Sequence, residues 1–179
     1  MIEETVKGAI RTVRDWPVAG VNFRDVTTLF QNVAIFRAAV ASLEDRLAHL
    51  NPTVVAGVDA RGFVLAGVLA HRMGLPLALV RKKGKLPYRT IEEAYELEYG
   101  QAVVEIHEDA CGKGDRLLVV DDLIATGGTL LAAIRLFRRL EAAVVGAVAL
   151  VDLPELGGSA KIEAENVPTV TVCKFTEDE

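Results

Sequence analysis

The chain has 179 residues, 51% apolar and 25% charged, which suits one globular domain able to bury a core and excludes the low hydrophobicity of a disordered polymer. Its 20 Lys and Arg against 25 Asp and Glu leave a formal net charge of −5. That is the wrong sign for a bulk nucleic-acid binder, but not for a protein holding a small phosphorylated ligand, which needs only a local positive site.

The opening MIEETVKGAIRTVRDWPVAG mixes acids and bases without an apolar core segment, so no secretory signal is expected. Within it Ile2, Val6, Ile10 and Val13 recur at helical spacing, and Pro17 and Gly20 break that helix. A second helical face runs from Val33 to Leu50 through Phe36, Val40, Leu43 and Leu47; Asn51-Pro52 ends it, because proline disfavours helical geometry in the residue before it. Thr53–Val58 reads as a strand, Gly62–Met73 as a helix rich in small residues, and Leu77–Arg81 as a second strand. A long insert follows: Lys82 to Glu93 reads as a polar loop of functional length, and Tyr95 to Ile106 as a hairpin. Arg116–Asp121 is the next strand, followed by a glycine-containing turn and an amphipathic helix through Leu130, Ile134, Phe137 and Leu140. Val144–Val151 and Thr169–Cys173 complete the strands; the apolar run from Ala142 to Val151 is too short to span a bilayer. Strands this apolar, bounded by helices, imply an α/β fold with a mostly parallel sheet covered on both faces. Cys111 and Cys173 read as free thiols of a reducing cytosol, and neither they nor His49, His71 and His107 show metal-ligand spacing.

LLVVDDLIATGGTLLAAI, residues 117–134, carries the chemistry. An apolar strand ends in two acids, and Ala125, Thr126, Gly127, Gly128 and Thr129 then form a turn at a helix N-terminus, where unpaired amides and the helix dipole favour an anion. The turn is neither a Walker A loop nor GxGxxG. Asp121 and Asp122 would repel a phosphate, so ribose hydroxyls, a magnesium ion or a developing carbocation are their sensible partners. Read alone, the acid pair could equally cap the turn or pair with a nearby Arg or Lys.

VVDDLIATGGT resembles the 5-phosphoribosyl 1-pyrophosphate signature of the type I phosphoribosyltransferases. WPVAGVNFRDVTTLF, VAGVDARGF, VRKKGKLP and YELEYG resemble, in order and spacing, the adenine-specific branch of that family, from about Thr5 to Phe175. The resemblance implies the type I phosphoribosyltransferase fold over residues 1–179 as a single domain, with an N-terminal hood mainly from residues 1–35 and a flexible catalytic loop at about 82–100. It implies formation of AMP and pyrophosphate from adenine and 5-phosphoribosyl 1-pyrophosphate. The expected Mg²⁺ rides on the substrate's pyrophosphate and ribose hydroxyls, with no metal ligand from the protein. A cytoplasmic homodimer, with no nucleic-acid or membrane partner, is implied too.

Residue by residue, Ala125 to Thr129 would hold the 5′-phosphate, while Asp121 and Asp122 address the ribose hydroxyls and stabilise positive charge on the ring. Asp59-Ala60-Arg61-Gly62 resembles the pyrophosphate loop, with Ala60 and Arg61 on the substrate, and the family has a non-proline cis peptide just before the arginine, here Ala60–Arg61. Arg81, Lys82 and Lys85 would add positive charge for pyrophosphate. Glu98 matches the catalytic acid/base and Tyr99 stands beside it in the mobile loop. Phe23 would stack on the purine, backbone groups of Asn22 and Arg24 read its edge, and Leu123 forms the opposite wall. Leu140-Glu141-Ala142-Ala143 lacks the glycine expected after the helix and suggests a different helix exit. Two other readings keep the phosphate turn: a 6-oxopurine phosphoribosyltransferase, against which the VNFRD hood stands, and a non-catalytic phosphoribosyl-pyrophosphate-sensing regulator. The regulator would need a basic face or an extra domain.

Overall fold

The computed structural model describes residues 1–97, 100–176 and 179. The chain opens with α1 (Ile2–Ala9), β1 (Arg11–Val13), β2 (Phe23–Asp25), α2 (Thr27–Gln31) and α3 (Val33–Leu47), the last tightening into a 3-10 turn at Ala48–Leu50. It continues through β3 (Val54–Val58), α4 (Gly62–Met73), β4 (Leu77–Lys82) and the hairpin strands β5 (Thr90–Leu97) and β6 (Gly100–His107). β7 (Arg116–Val120), β8 (Leu123–Ile124), α5 (Gly128–Arg139), β9 (Ala143–Asp152), α6 (Gly158–Ala164) and β10 (Thr169–Lys174) complete it.

Among the described residues the main sheet runs β10-β9-β7-β3-β4-β6-β5, with β8 added to β9. From β10 to β4 every pairing is parallel, while β6 is antiparallel to β4 and to β5. Alternation along the strands divides the core. Val55, Leu118, Val120, Val148 and Leu150 face α1, α3 and α4, whereas Val54, Ala56, Leu117, Val119, Ala147 and Ala149 face α5 and α6. Because β3 crosses over through α4 on one face and β7 through α5 on the other, the loops leaving these neighbouring strands diverge. The crevice between them is where a doubly wound sheet binds its ligand.

Three sequence expectations shift. The first helix stops at Ala9 although Ile10 is still buried, because the Thr28 hydroxyl donates to the Ala9 carbonyl at 2.7 Å and accepts from the Arg11 amide at 3.1 Å. The freed segment then pairs with β2. The stretch read as a loop to Glu93 is already strand from Thr90: Ile91 and Tyr95 face the α5 side of the core, and Glu93 between them meets Arg135 at 3.8 Å and Arg139 at 3.4 Å, so a charge interrupts the apolar alternation. At the exit of α5, Glu141 takes the left-handed conformation (φ 63°) that a glycine would ordinarily supply.

Candidate active site

After β7 the backbone stays tied to the sheet: the Asp121 amide donates to Val148 O at 2.9 Å, and Asp122 O accepts from Leu150 N at 3.0 Å. Leu123 and Ile124 then rejoin β9 as β8, so the turn is launched from a fixed edge. Gly127, left-handed at φ 80°, lets the chain enter α5. The amides of the first helical turn have no partners within the helix, and Asp121 and residues Leu123 to Leu130 line a cleft of about 100 Å³. That is below the roughly 300–1,000 Å³ typical of whole-ligand pockets and suits one anionic group. The turn is braced from behind, where the Gly158 amide donates to Ala125 O at 3.0 Å.

The acids and arginines close the crevice between β3 and β7. Arg61 Nε donates to Asp122 Oδ2 at 2.6 Å, with the arginine side chain 48% exposed and the aspartate 6%. Partial burial works against the Arg61 charge, but the bond to Asp122 and the fields of Asp121 and Asp25 outweigh it and raise its pKa. Asp121 Oδ1 accepts from the Asp122 amide at 2.8 Å and packs against Gly62 at the start of α4. Burial of this carboxyl, then the charge of Asp122, pushes its pKa well above the usual carboxylate range, against a smaller opposing pull from Arg61. A second ion pair lies one strand away: Arg81 Nε donates to Asp59 Oδ2 at 3.1 Å, and Arg81 Nη1 to Lys85 O at 3.2 Å.

On the N-terminal side, Phe23 is half-buried and meets Trp16 edge-on with ring centroids 4.5 Å apart. The Arg61 guanidinium lies 5.7 Å from the same Phe23 ring. Arg24 turns its side chain into the protein, donating to Thr12 Oγ1 at 2.6 Å and stacking 4.3 Å from the Phe175 ring. Lys7 lies over the other end of this cluster, 5.3 Å from Phe175 and 2.7 Å from the carboxylate of Glu179.

Of the residues anticipated for the site, Arg61, Asp121, Asp122, Phe23 and the turn Ala125 to Thr129 come together around the crevice, with Leu123 on its rim. Asn22, Ala60, Lys82 and Lys85 are exposed, and Arg81 is held by Asp59 and by the Lys85 carbonyl. Glu98 and Tyr99 lie outside the described residues. The non-proline cis bond is Asp59–Ala60, one bond earlier than the resemblance implied. Arg61 already has helical dihedrals and Val64 N bonds to its carbonyl, so the reversal falls before Ala60. Asp59 belongs to the stretch that resembles the pyrophosphate loop and holds Arg81; Glu105 and Gly158 carry no signal in the sequence, because each reads as an ordinary strand acid or loop glycine until its neighbours are known.

A model of the phosphoribosyl transferase domain matches residues 25–175. The chain is 53% identical over 175 residues to the adenine phosphoribosyltransferase of Marinobacter nauticus, covering 98% of this chain and 97% of that one. Its structure superposes on the adenine phosphoribosyltransferase of Rhodothermus marinus with a TM-score of 0.90 at 45% identity, covering 96% of this chain and 97% of that one. The Saccharomyces cerevisiae enzyme, solved with adenine and an imino-altritol bisphosphate, gives a TM-score of 0.88 at 31% identity, covering 96% and 98% of the two chains.

Proposed function

Since the chain belongs to the adenine phosphoribosyltransferase family, we propose that it moves the ribose 5-phosphate of 5-phosphoribosyl 1-pyrophosphate to N9 of adenine, releasing pyrophosphate and returning adenine to the nucleotide pool as AMP. One observation carries the assignment of parts: a single side chain, Arg61, touches the Asp122 carboxylate at 2.6 Å and lies 5.7 Å from the Phe23 ring. A ribose at Asp122, a purine on Phe23 and a pyrophosphate on Arg61 would therefore be parts of one bound molecule pair.

In this reading the amides at the start of α5 hold the 5′-phosphate, Asp122 and Asp121 address the ribose hydroxyls, and Arg61 and Arg81, with Lys82 and Lys85, take pyrophosphate. As the C1–pyrophosphate bond lengthens, positive charge develops on the ribose ring, and the fixed negative charge of Asp122 stabilises it. Backbone groups of Asn22 and Arg24 read the adenine edge, Leu123 walls its far face, Glu98 accepts the N9 proton and Tyr99 assists in the loop.

The Asp122 carboxylate is already engaged by Arg61 at 2.6 Å. That donor chemistry suits a magnesium ion arriving on the oxygens of the diphosphate and the ribose hydroxyls as part of the substrate. Among the described residues no helix is long and apolar enough to cross a membrane. The free thiols of Cys111 and Cys173 favour a cytoplasmic enzyme. A homodimer is favoured by the uncovered apolar side chains of Leu77, Leu79 and Val64, 42%, 37% and 43% exposed beside α4.

The test is AMP formation with adenine, hypoxanthine, guanine and xanthine compared in parallel, with and without magnesium. Turnover with adenine alone is expected. Turnover with an oxopurine would overturn the base assignment, and tight binding of phosphoribosyl pyrophosphate without turnover would replace the enzyme by a sensor.

A further inference from the structure

Glu105 sits in β6, one strand of the hairpin whose far end leads into the segment containing Glu98, and it is only 3% exposed. A buried carboxylate needs donors, and this one finds them in the basic turn after β4. Its Oε1 accepts from the amides of Lys85 and Leu86, both at 2.8 Å. Burial alone would raise its pKa, yet the amides of Leu86, Gly84 and Lys85 and the Thr90 hydroxyl bring it below the usual carboxylate range. The Lys85 carbonyl in turn accepts from Arg81 Nη1 at 3.2 Å, while Arg81 Nε is held by Asp59 at 3.1 Å. A continuous chain of bonds thus runs from the hairpin, through Glu105 and the Lys85 peptide, to the guanidinium of Arg81.

We propose that Glu105 is a positioning residue for the pyrophosphate half of the substrate site, fixing the Gly84–Leu86 turn so that Arg81 and Lys85 are aimed together. The inference rests on the assignment of Arg81 and Lys85 to pyrophosphate. Glu105 itself touches no substrate. Its role is separable from its charge, because the two act in opposite directions. Removing a negative charge near the cations would tighten an anion through the field alone, whereas loosening the turn weakens it. Glutamine keeps the shape of the side chain and an Oε1 acceptor for the Lys85 and Leu86 amides, but those bonds lose their charge assistance and loosen the turn.

The experiment is calorimetric titration of wild type, Glu105→Gln and Arg81→Ala with magnesium pyrophosphate and, separately, with AMP, which carries base, ribose and 5′-phosphate but no pyrophosphate. For Glu105→Gln the pyrophosphate Kd should rise about tenfold, with the AMP Kd within about twofold of wild type, a split that general unfolding would not produce. Leu86→Pro deletes one of the two amide donors to Oε1 and changes no residue of β6; it should weaken pyrophosphate in the same direction and carries the test if Glu105→Gln fails to bind AMP. Unchanged or tighter pyrophosphate in Glu105→Gln, with binding lost in Arg81→Ala, overturns the role of Glu105 and leaves the pyrophosphate assignment standing. Wild-type pyrophosphate affinity in Arg81→Ala overturns that assignment, and the inference with it.

Discussion

Replacing Gly158 by alanine attacks the phosphate turn from a residue that would not touch substrate. A Cβ at Gly158 would stand 2.2 Å from Ala125 O, 2.7 Å from Gly127 N and 2.9 Å from the Thr126 carbonyl carbon, where ordinary contact begins near 3.4 Å. Relief requires a displacement of roughly an ångström, and the question is which side moves. Helix α6 is pinned by Ile162, which is fully buried, whereas Thr126 at the crest of the turn is exposed and Ala125 O is held by the very Gly158 amide that must retreat. The turn should yield. A misplacement of about 1 Å costs on the order of 100-fold, so kcat/KM should fall by about that factor, roughly 2.7 kcal/mol of transition-state stabilisation. The assay is steady-state kinetics with both substrates, joined to titrations with AMP and with pyrophosphate. AMP affinity and the KM for phosphoribosyl pyrophosphate should suffer while pyrophosphate affinity holds, the reverse of the pattern expected for Glu105→Gln. A Gly158→Ala protein with a lowered Tm but unaltered kinetics would mean that α6 gave way instead, and would refute the bracing of the turn by this helix.

Other consequences follow from the same contacts. Phe23→Ala should raise the KM for adenine about tenfold or more, since stacking of a base on an aromatic ring is worth about 1–3 kcal/mol, and leave the KM for phosphoribosyl pyrophosphate unchanged. Trp16, the only tryptophan of the chain, lies 4.5 Å from the Phe23 ring, so its fluorescence should report adenine binding and fall silent to it in Phe23→Ala. Arg61→Lys keeps a charge but loses the guanidinium fork, and should weaken pyrophosphate at least tenfold. Its effect on stability should stay within about 1 kcal/mol, because the Arg61 side chain is 48% exposed. Asp121 has its folded-state pKa raised, so its ionisation penalises the folded protein above the ordinary carboxylate range, and the penalty vanishes at lower pH. Asp121→Asn should therefore raise Tm at pH 8, with the gain closing as pH falls below about 4, while turnover drops at every pH; a lower Tm at pH 8 would show that the carboxylate is stabilised there.

Much of this was legible in the sequence, for physical reasons that differ by element. β3 and β7 are apolar on both faces because helices cover both, so their runs are unmistakable, and Gly62–Met73 stands between Arg61 and a left-handed Gly74 that closes it. The turn at Ala125–Thr129 could be read because an anion-binding turn is built from backbone, and the glycines it demands are visible. The hairpin start was not legible, because Glu93 faces α5 and finds Arg135 and Arg139, partners that lie more than forty positions on. The contacts of Glu105 with the Lys85 and Leu86 amides and of Gly158 with Ala125 were hidden for the same reason: each depends on a neighbour brought in by the fold. Arg24 drew notice for its backbone alone, yet its guanidinium, stacked on Phe175, joins β2 to the end of the chain.

The acid pair beside a phosphate turn poses an electrostatic problem that the geometry resolves. Two ionised carboxylates next to a polyanionic substrate would oppose its binding. Asp121, however, keeps its proton to higher pH than an ordinary carboxyl, and the Asp122 charge is matched by Arg61. The crevice therefore meets an incoming anion with far less repulsion than its composition suggests. If Arg61 takes the pyrophosphate as proposed, it exchanges its bond to the buried Asp122 carboxylate for charge-assisted contacts to phosphate oxygens. On the proposed assignment, Asp122 is then left with its negative charge beside the ribose. On that assignment, the charge that would have hindered binding becomes available only after the substrate is seated, where positive charge on the ribose ring makes it stabilising.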